Sequence, residues 1–189
     1  MSGTTNVRDD LGYVRDVVNR SERSAFPAGI AYLWAAIGLI GFSLIDFAPE
    51  NVGLYWIVAA PIGFLLSMWM GARQARTAGQ LSAREGRGQM LHWGALMVAI
   101  FLLYPLIARG SLQGETIAQV ILLLVALAYF LAGVHLMPAL KWAALAMALG
   151  YIVTVTVDGF AWTALGVLFA VGLVISARVA GGGRGHQTA

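Results

Sequence analysis

Three short clusters hold the residues best suited to chemistry: Met68-Trp69-Met70, Met90-Leu91-His92 and His135-Leu136-Met137. Thioether sulfur and imidazole nitrogen suit Cu(I), and imidazole is also an axial ligand for haem. Each cluster lies at an end of a long apolar run, so Met68, Met70, Met90, His92, His135 and Met137 are expected at similar depth on one side of a membrane. Helix geometry works against a site within any one cluster. Residues two apart on an α-helix point about 200° away from each other, so ligands have to converge from different helices. The ordinary use of these residues is interfacial, with methionine filling apolar gaps and histidine turning its polar tip to water. No metal or other cofactor is expected, and a haem- or copper-binding membrane protein is the alternative that these six residues would serve.

Other chemistries have less to work with. The chain has no cysteine, which removes disulfides, thiolate zinc sites, iron–sulfur clusters and thiol nucleophiles together. Neither Gly-x-Ser-x-Gly nor His-Glu-x-x-His occurs. Ser67 lies near the end of a run where His92 or His135 could meet it, and Ser43 lies in the opposite half, but no oxyanion-hole signal accompanies either. An enzyme is not expected. Ion-coupled transport usually needs ionisable groups deep in the membrane, and the runs carry no acidic or basic residue at mid-depth; Asp46 and Asp158 sit at run ends. A permeation pathway for ions or small solutes, lined by Ser43, Ser67, Thr154 or Thr156, is the second class of function. The glycines of Gly181-Gly182-Gly183-Arg184-Gly185 lack the strand, helix start and Lys-Ser pair of a phosphate-binding loop.

The elements that must position these residues are plain from composition. Of 189 residues, 59% are hydrophobic and only 11% charged, against roughly a quarter charged in a soluble domain. Most of the surface therefore faces lipid. Uncharged runs extend over 25–45, 51–72, 88–108, 116–140, 142–157 and 159–177. A hydrocarbon core of ~30 Å needs about 20 helical residues, and all but the fifth run come near that or exceed it. Starting the fifth helix at Pro138 repairs it, because proline is tolerated in a first turn and Lys141 can snorkel to the headgroups. The fold expected is an all-α, polytopic bundle of six transmembrane helices arranged as three hairpins. The spans are placed at about 27–46, 52–72, 90–108, 116–137, 138–157 and 159–178, within a membrane domain over 25–179.

Orientation follows from the basic residues. With the N-terminus inside, eleven of the twelve lysines and arginines fall on the cytoplasmic side and only Arg109 outside, so both ends are expected in the cytoplasm. The formal charge of +3 thus has a topological explanation, and no nucleic-acid partner is expected. Residues 1–24 are polar and read as an amphipathic helix, with Val7, Leu11, Val14 and Val18 along one face, either resting on the inner leaflet or docking a cytoplasmic partner. The stretch 180–189 reads as a disordered tail.

Three outgoing helices begin alike, at Trp34-Ala35-Ala36-Ile37, Trp93-Gly94-Ala95-Leu96 and Trp142-Ala143-Ala144-Leu145, which suggests a repeated hairpin. Small residues four apart, Ala144 with Ala148, Ala146 with Gly150 and Gly172 with Ser176, predict close contact between the fifth and sixth spans; Gly38 and Gly41 do the same for the first. Six spans in a short chain, with Trp34, Gly38, Gly41 and Pro49 in the first hairpin, resemble the HdeD-type acid-resistance membrane proteins of bacteria. The second hairpin departs from that pattern, with Met97 and Ile100 at the glycine positions. The resemblance implies a small bacterial inner-membrane protein. By elimination, the function expected is that of a non-enzymatic accessory or regulatory protein. Its partners would be the lipid bilayer, another membrane or cytoplasmic protein, or a second copy of itself.

Overall fold

The computed structural model describes residues 28–78 and 83–182. These form α1 (Ala28–Phe47), α2 (Pro49–Ala78), α3 (Ala83–Phe101), α4 (Tyr104–Ala108), α5 (Glu115–His135), a 3₁₀ turn (Pro138–Leu140), α6 (Lys141–Thr156) and α7 (Ala161–Gly182). They supply six helices long and apolar enough to cross a membrane, with α3 and α4 together forming the third and the 3₁₀ turn continuing into α6 as the fifth. The protein is a multi-pass membrane bundle. The amphipathic stretch 1–24, with Val7, Leu11, Val14 and Val18, lies outside the described residues.

Prolines set three of the boundaries. Pro49 disfavours helical backbone at Ala48 and then serves as the first residue of α2, where its missing N–H is no loss. α2 runs 30 residues to Ala78, about 45 Å of helix, where a span over 52–72 was expected; Arg73 and Arg76 ride on the extra turns. The third span is not the continuous helix expected over 90–108. Pro105 has no N–H for the carbonyl of Phe101, and the chain tightens into a turn, with Leu103 N bonding Ile100 O at 3.1 Å before α4 resumes. The start at Pro138 agrees with the sequence reading. The last helix begins at Ala161 rather than 159 and continues to Gly182, so residues 180–182 of the expected tail are helical.

The first and last spans form the most extensive contact, followed by α6 with α7, α5 with α6 and α1 with α2; α3 meets α5 over a smaller face. The contact order is therefore α2–α1–α7–α6–α5–α3. α1 and α7 run antiparallel. Gly38 near the middle of α1 receives the Phe169 ring, and a side chain at Gly166 of α7 would stand 3.3 Å from the Leu39 backbone. Leu122, Leu140, Met147, Leu165 and Leu173 are fully enclosed at the centre.

The expected contact of the fifth and sixth spans is present, with one change of face. Gly172 approaches α6 so closely that an added Cβ would lie 2.7 Å from Ala146 Cβ and 3.1 Å from Trp142 O; Gly150 receives Leu165. Ala144 is buried but Ala148 is exposed, so those two do not share the contact face. Met147 occupies it instead, fully buried beside Ala143. Residues four apart drift around a helix of 3.6 residues per turn, and the seam follows Ala143, Met147 and Gly150.

Gly172→Ala is expected to lower stability by about 1–3 kcal/mol, because α6 presents backbone as well as a methyl there. Gly53→Ala and Gly94→Ala, where an added Cβ meets nothing within 4 Å, are expected to be neutral or to stabilise by up to about 1 kcal/mol. Denaturant unfolding in mixed micelles reads the difference.

Candidate functional site

The six soft-ligand residues occupy different surroundings. Met68 and Met90 are exposed on the outer faces of α2 and α3. Met70 points back to α1, its methyl 2.5 Å from where a Gly29 Cβ would stand. Met137 is almost fully buried in the central core. It opens the 3₁₀ turn in extended conformation, with its N–H on Ala132 O at 2.7 Å. His135 is exposed at the end of α5. Among the described residues no group of three or more His, Asp or Glu side chains gathers in metal-binding proximity.

His92 is deeper than its place in the sequence suggested. Its Nε2 lies 3.0 Å from Ala128 O of α5, and a carbonyl only accepts, so the proton is on Nε2. Ala128 precedes His135 by seven residues, about 10 Å along the helix. The two imidazoles are therefore at different depths. His92 also stands edge-on to Trp93, 5.0 Å between centroids, and Trp93 packs against Tyr129 of α5 at 5.1 Å. These two adjacent residues, His92 and Trp93, are the polar and aromatic anchors of α3.

Ser67 belongs to a different pair. Trp34 Nε1 of α1 donates to Ser67 Oγ at 2.9 Å, and Ser67 Oγ in turn donates to Gly63 O at 2.7 Å. The hydroxyl is used on the α1–α2 side. Thr154 and Thr156 likewise donate to carbonyls of their own helix, Tyr151 O and Ile152 O. Of the three tryptophans near the starts of the outgoing spans, Trp34 and Trp93 face the membrane span that follows theirs, α2 and α5, whereas Trp142 is half exposed.

The strongest polar contact between spans involves a residue placed only at a helix end by its sequence position. Asp46 Oδ2, in the last turn of α1, accepts both the backbone N–H and the hydroxyl of Thr163, at 2.7 and 2.6 Å. The N–H groups of a helix's first turn have no partner within the helix, and a carboxylate there also meets the positive end of the helix dipole. Asp46 thus caps α7 from 117 residues away. Nothing local marks this; the nearby Asp158 is exposed, and only the carboxylate at the end of an otherwise apolar helix hints that it has a partner. Below the cap, Phe42 contacts Trp56 and Phe169, and Phe169 contacts Tyr129, so ring contacts continue through Trp93 from α2 to α3.

Charge divides between the two ends. Arg73, Arg76, Arg87, Lys141 and Arg178 are exposed at one end, Arg73 stacking on Trp69 at 5.5 Å, and Asp46, Glu50, Glu115 and Asp158 lie at the other with Arg109. α2 and α3 carry little of the interior. Of their membrane windows 6% and 0% are buried, against 22–39% for the other four spans.

Asp46→Ala is expected to cost about 0.5–2 kcal/mol, the usual range for losing a helix cap, and to speed hydrogen exchange at residues 161–164; Asp46→Asn, which keeps an acceptor, loses less. His92→Ala is expected to cost about 0.6–2 kcal/mol, the span of measured interhelical hydrogen bonds in membranes, with His92→Gln retaining part of it in the same unfolding assay. No known protein family, no curated protein and no solved structure matches this chain.

Proposed function

We propose that this is a non-enzymatic accessory or regulatory membrane protein that acts by contact. In this reading it resides in a bacterial inner membrane, as the resemblance to the HdeD-type proteins implies, with both ends in the cytoplasm. The observation that supports the reading most is the small share of α2 and α3 that is buried. Each is fastened mainly along one side, to α1 and α5 respectively, and each offers most of its circumference to the membrane, where another protein's helices can pack. α2 also carries Arg73 and Arg76 beyond the apolar span, on the end assigned to the cytoplasm by its basic residues. The interior between the other four spans is filled by large apolar side chains, which suits a scaffold better than a passage.

Gentle purification from native membranes followed by mass spectrometry tests the proposal. A stoichiometric protein partner is the expected result, weakened at least about tenfold in affinity when Val14 and Val18 are both replaced by glutamate if residues 1–24 make the contact. Recovery of the chain alone, together with solute flux in liposomes that Gly150→Trp blocks, would replace this reading with a permeation pathway.

A further inference from the structure

The break in the third span leaves backbone carbonyls without donors inside the membrane. Phe101 O loses its partner four residues on, because Pro105 has no N–H. Leu103 N turns to Ile100 O at 3.1 Å instead of Ala99 O, and Leu106 N to Leu103 O at 3.0 Å instead of Leu102 O. Among the described residues no other backbone N–H reaches these three carbonyls. Phe101 precedes Ala108, the end of the span, by seven residues, about 10 Å of helix, within the ~15 Å hydrocarbon depth of one leaflet. Irregular backbone at that depth persists only where protein or water covers it. The rest of the chain does not cover it. Phe101, Leu102 and Tyr104 are 68–70% exposed, and α4 has no extensive contact with another helix among the described residues.

The same face is built to meet itself. The exposed side of α3 carries Leu91, Ala95, Val98 and Leu102, at steps of four, three and four residues. That spacing is the seam of a left-handed pair of nearly parallel helices, and Ala95 is small enough for close approach. Tyr104 stands at the break, three residues beyond Phe101, and a helical side chain leans back toward the preceding turn. Its hydroxyl has no hydrogen-bond partner among the described residues. Two copies inserted with the same orientation are related by an axis along the membrane normal, so like residues lie at like depth. Each copy then offers the other what it lacks, a hydroxyl donor level with an orphaned carbonyl. The loop beyond carries one charge of each sign, Arg109 and Glu115, so pairing does not accumulate a single charge there. We infer that the exposed face of α3 and α4 binds a second copy of this chain, with Tyr104 of each copy donating to the Phe101 carbonyl of the other. This deepens the contact reading by naming the occupant of α3, and it leaves α2 and residues 1–24 to other partners.

The chain has no cysteine of its own, so single cysteines in the full-length protein report the interface in native membranes. Under mild oxidation Ala95→Cys, Val98→Cys and Leu102→Cys should each crosslink into dimers, at least about tenfold more than Leu123→Cys or Ile152→Cys, which are exposed on α5 and α6. Self-association of the purified chain is then read by Förster transfer on dilution in liposomes, with no other protein present. Tyr104→Phe should weaken it about tenfold, as expected for two symmetric bonds between membrane helices. Pro105→Ala restores an N–H for Phe101 O, so in that background Tyr104→Phe should change affinity by less than about twofold. A chain that stays monomeric, or that crosslinks at the seam no better than at the control positions, would overturn the self-pairing, whatever partner the accessory reading finds elsewhere. Equal loss from Tyr104→Phe in both backgrounds, each shown to be folded by its unfolding midpoint, would overturn the carbonyl contact.

Discussion

The seam between the first and last membrane spans is the constraint on which the rest of the bundle depends. Glycines set its spacing: Gly38 admits the Phe169 ring, and Gly166 lies against the backbone of Leu39. Asp46 locks it at one end by capping the first turn of α7. In hydrocarbon, association of helices relies on close packing and interhelical hydrogen bonds, since apolar side chains gain little by leaving lipid. This seam has both. It places α7 in the interior, where α6 and then α5 pack in turn, and it leaves α2 and α3 as flanking spans.

Much of the fold was legible in the sequence because charge is so scarce in it. Runs without charged residues mark the spans, and the glycines of α6 and α7 foretold their contact. The contact order was not legible. In a membrane both the lipid-facing and the core-facing sides of a helix are apolar, so Leu165 in the core and Leu145 on the surface look alike in the sequence, although one is fully buried and the other half exposed. The same ambiguity misassigned Ala148, which four-residue spacing placed on the seam and which faces outward. Proline effects were legible in part: Pro138 was read as a helix start, whereas the break before Pro105 was passed over because the apolar run continues through it.

The chemical residues divide along similar lines. Sequence position put His92 and His135 at one depth, yet His92 reaches Ala128, because α3 already begins at Ala83, nine residues before it, and Trp93 packs on Tyr129 beside it. Ser67 looked available to a histidine until Trp34 was seen to hold it. Asp46 looked like a residue at the water boundary, and its partner is the first turn of the last span. Such long-range pairs cannot be read from local patterns, since their cause is the packing itself.

The antiparallel seam also puts Ala28 and Gly182 at the same end of the bundle, because the helices that begin and end the described residues lie side by side. With six spans, the connection between α2 and α3 is at that end too. The linear order of the spans is therefore incidental to their packing. A gene rearranged to begin at α3 and finish at α2, with the former ends joined, would encode the same neighbours, caps and orientation. The contacts form an open series from α3 to α2, and the described chain begins and ends in the middle of it.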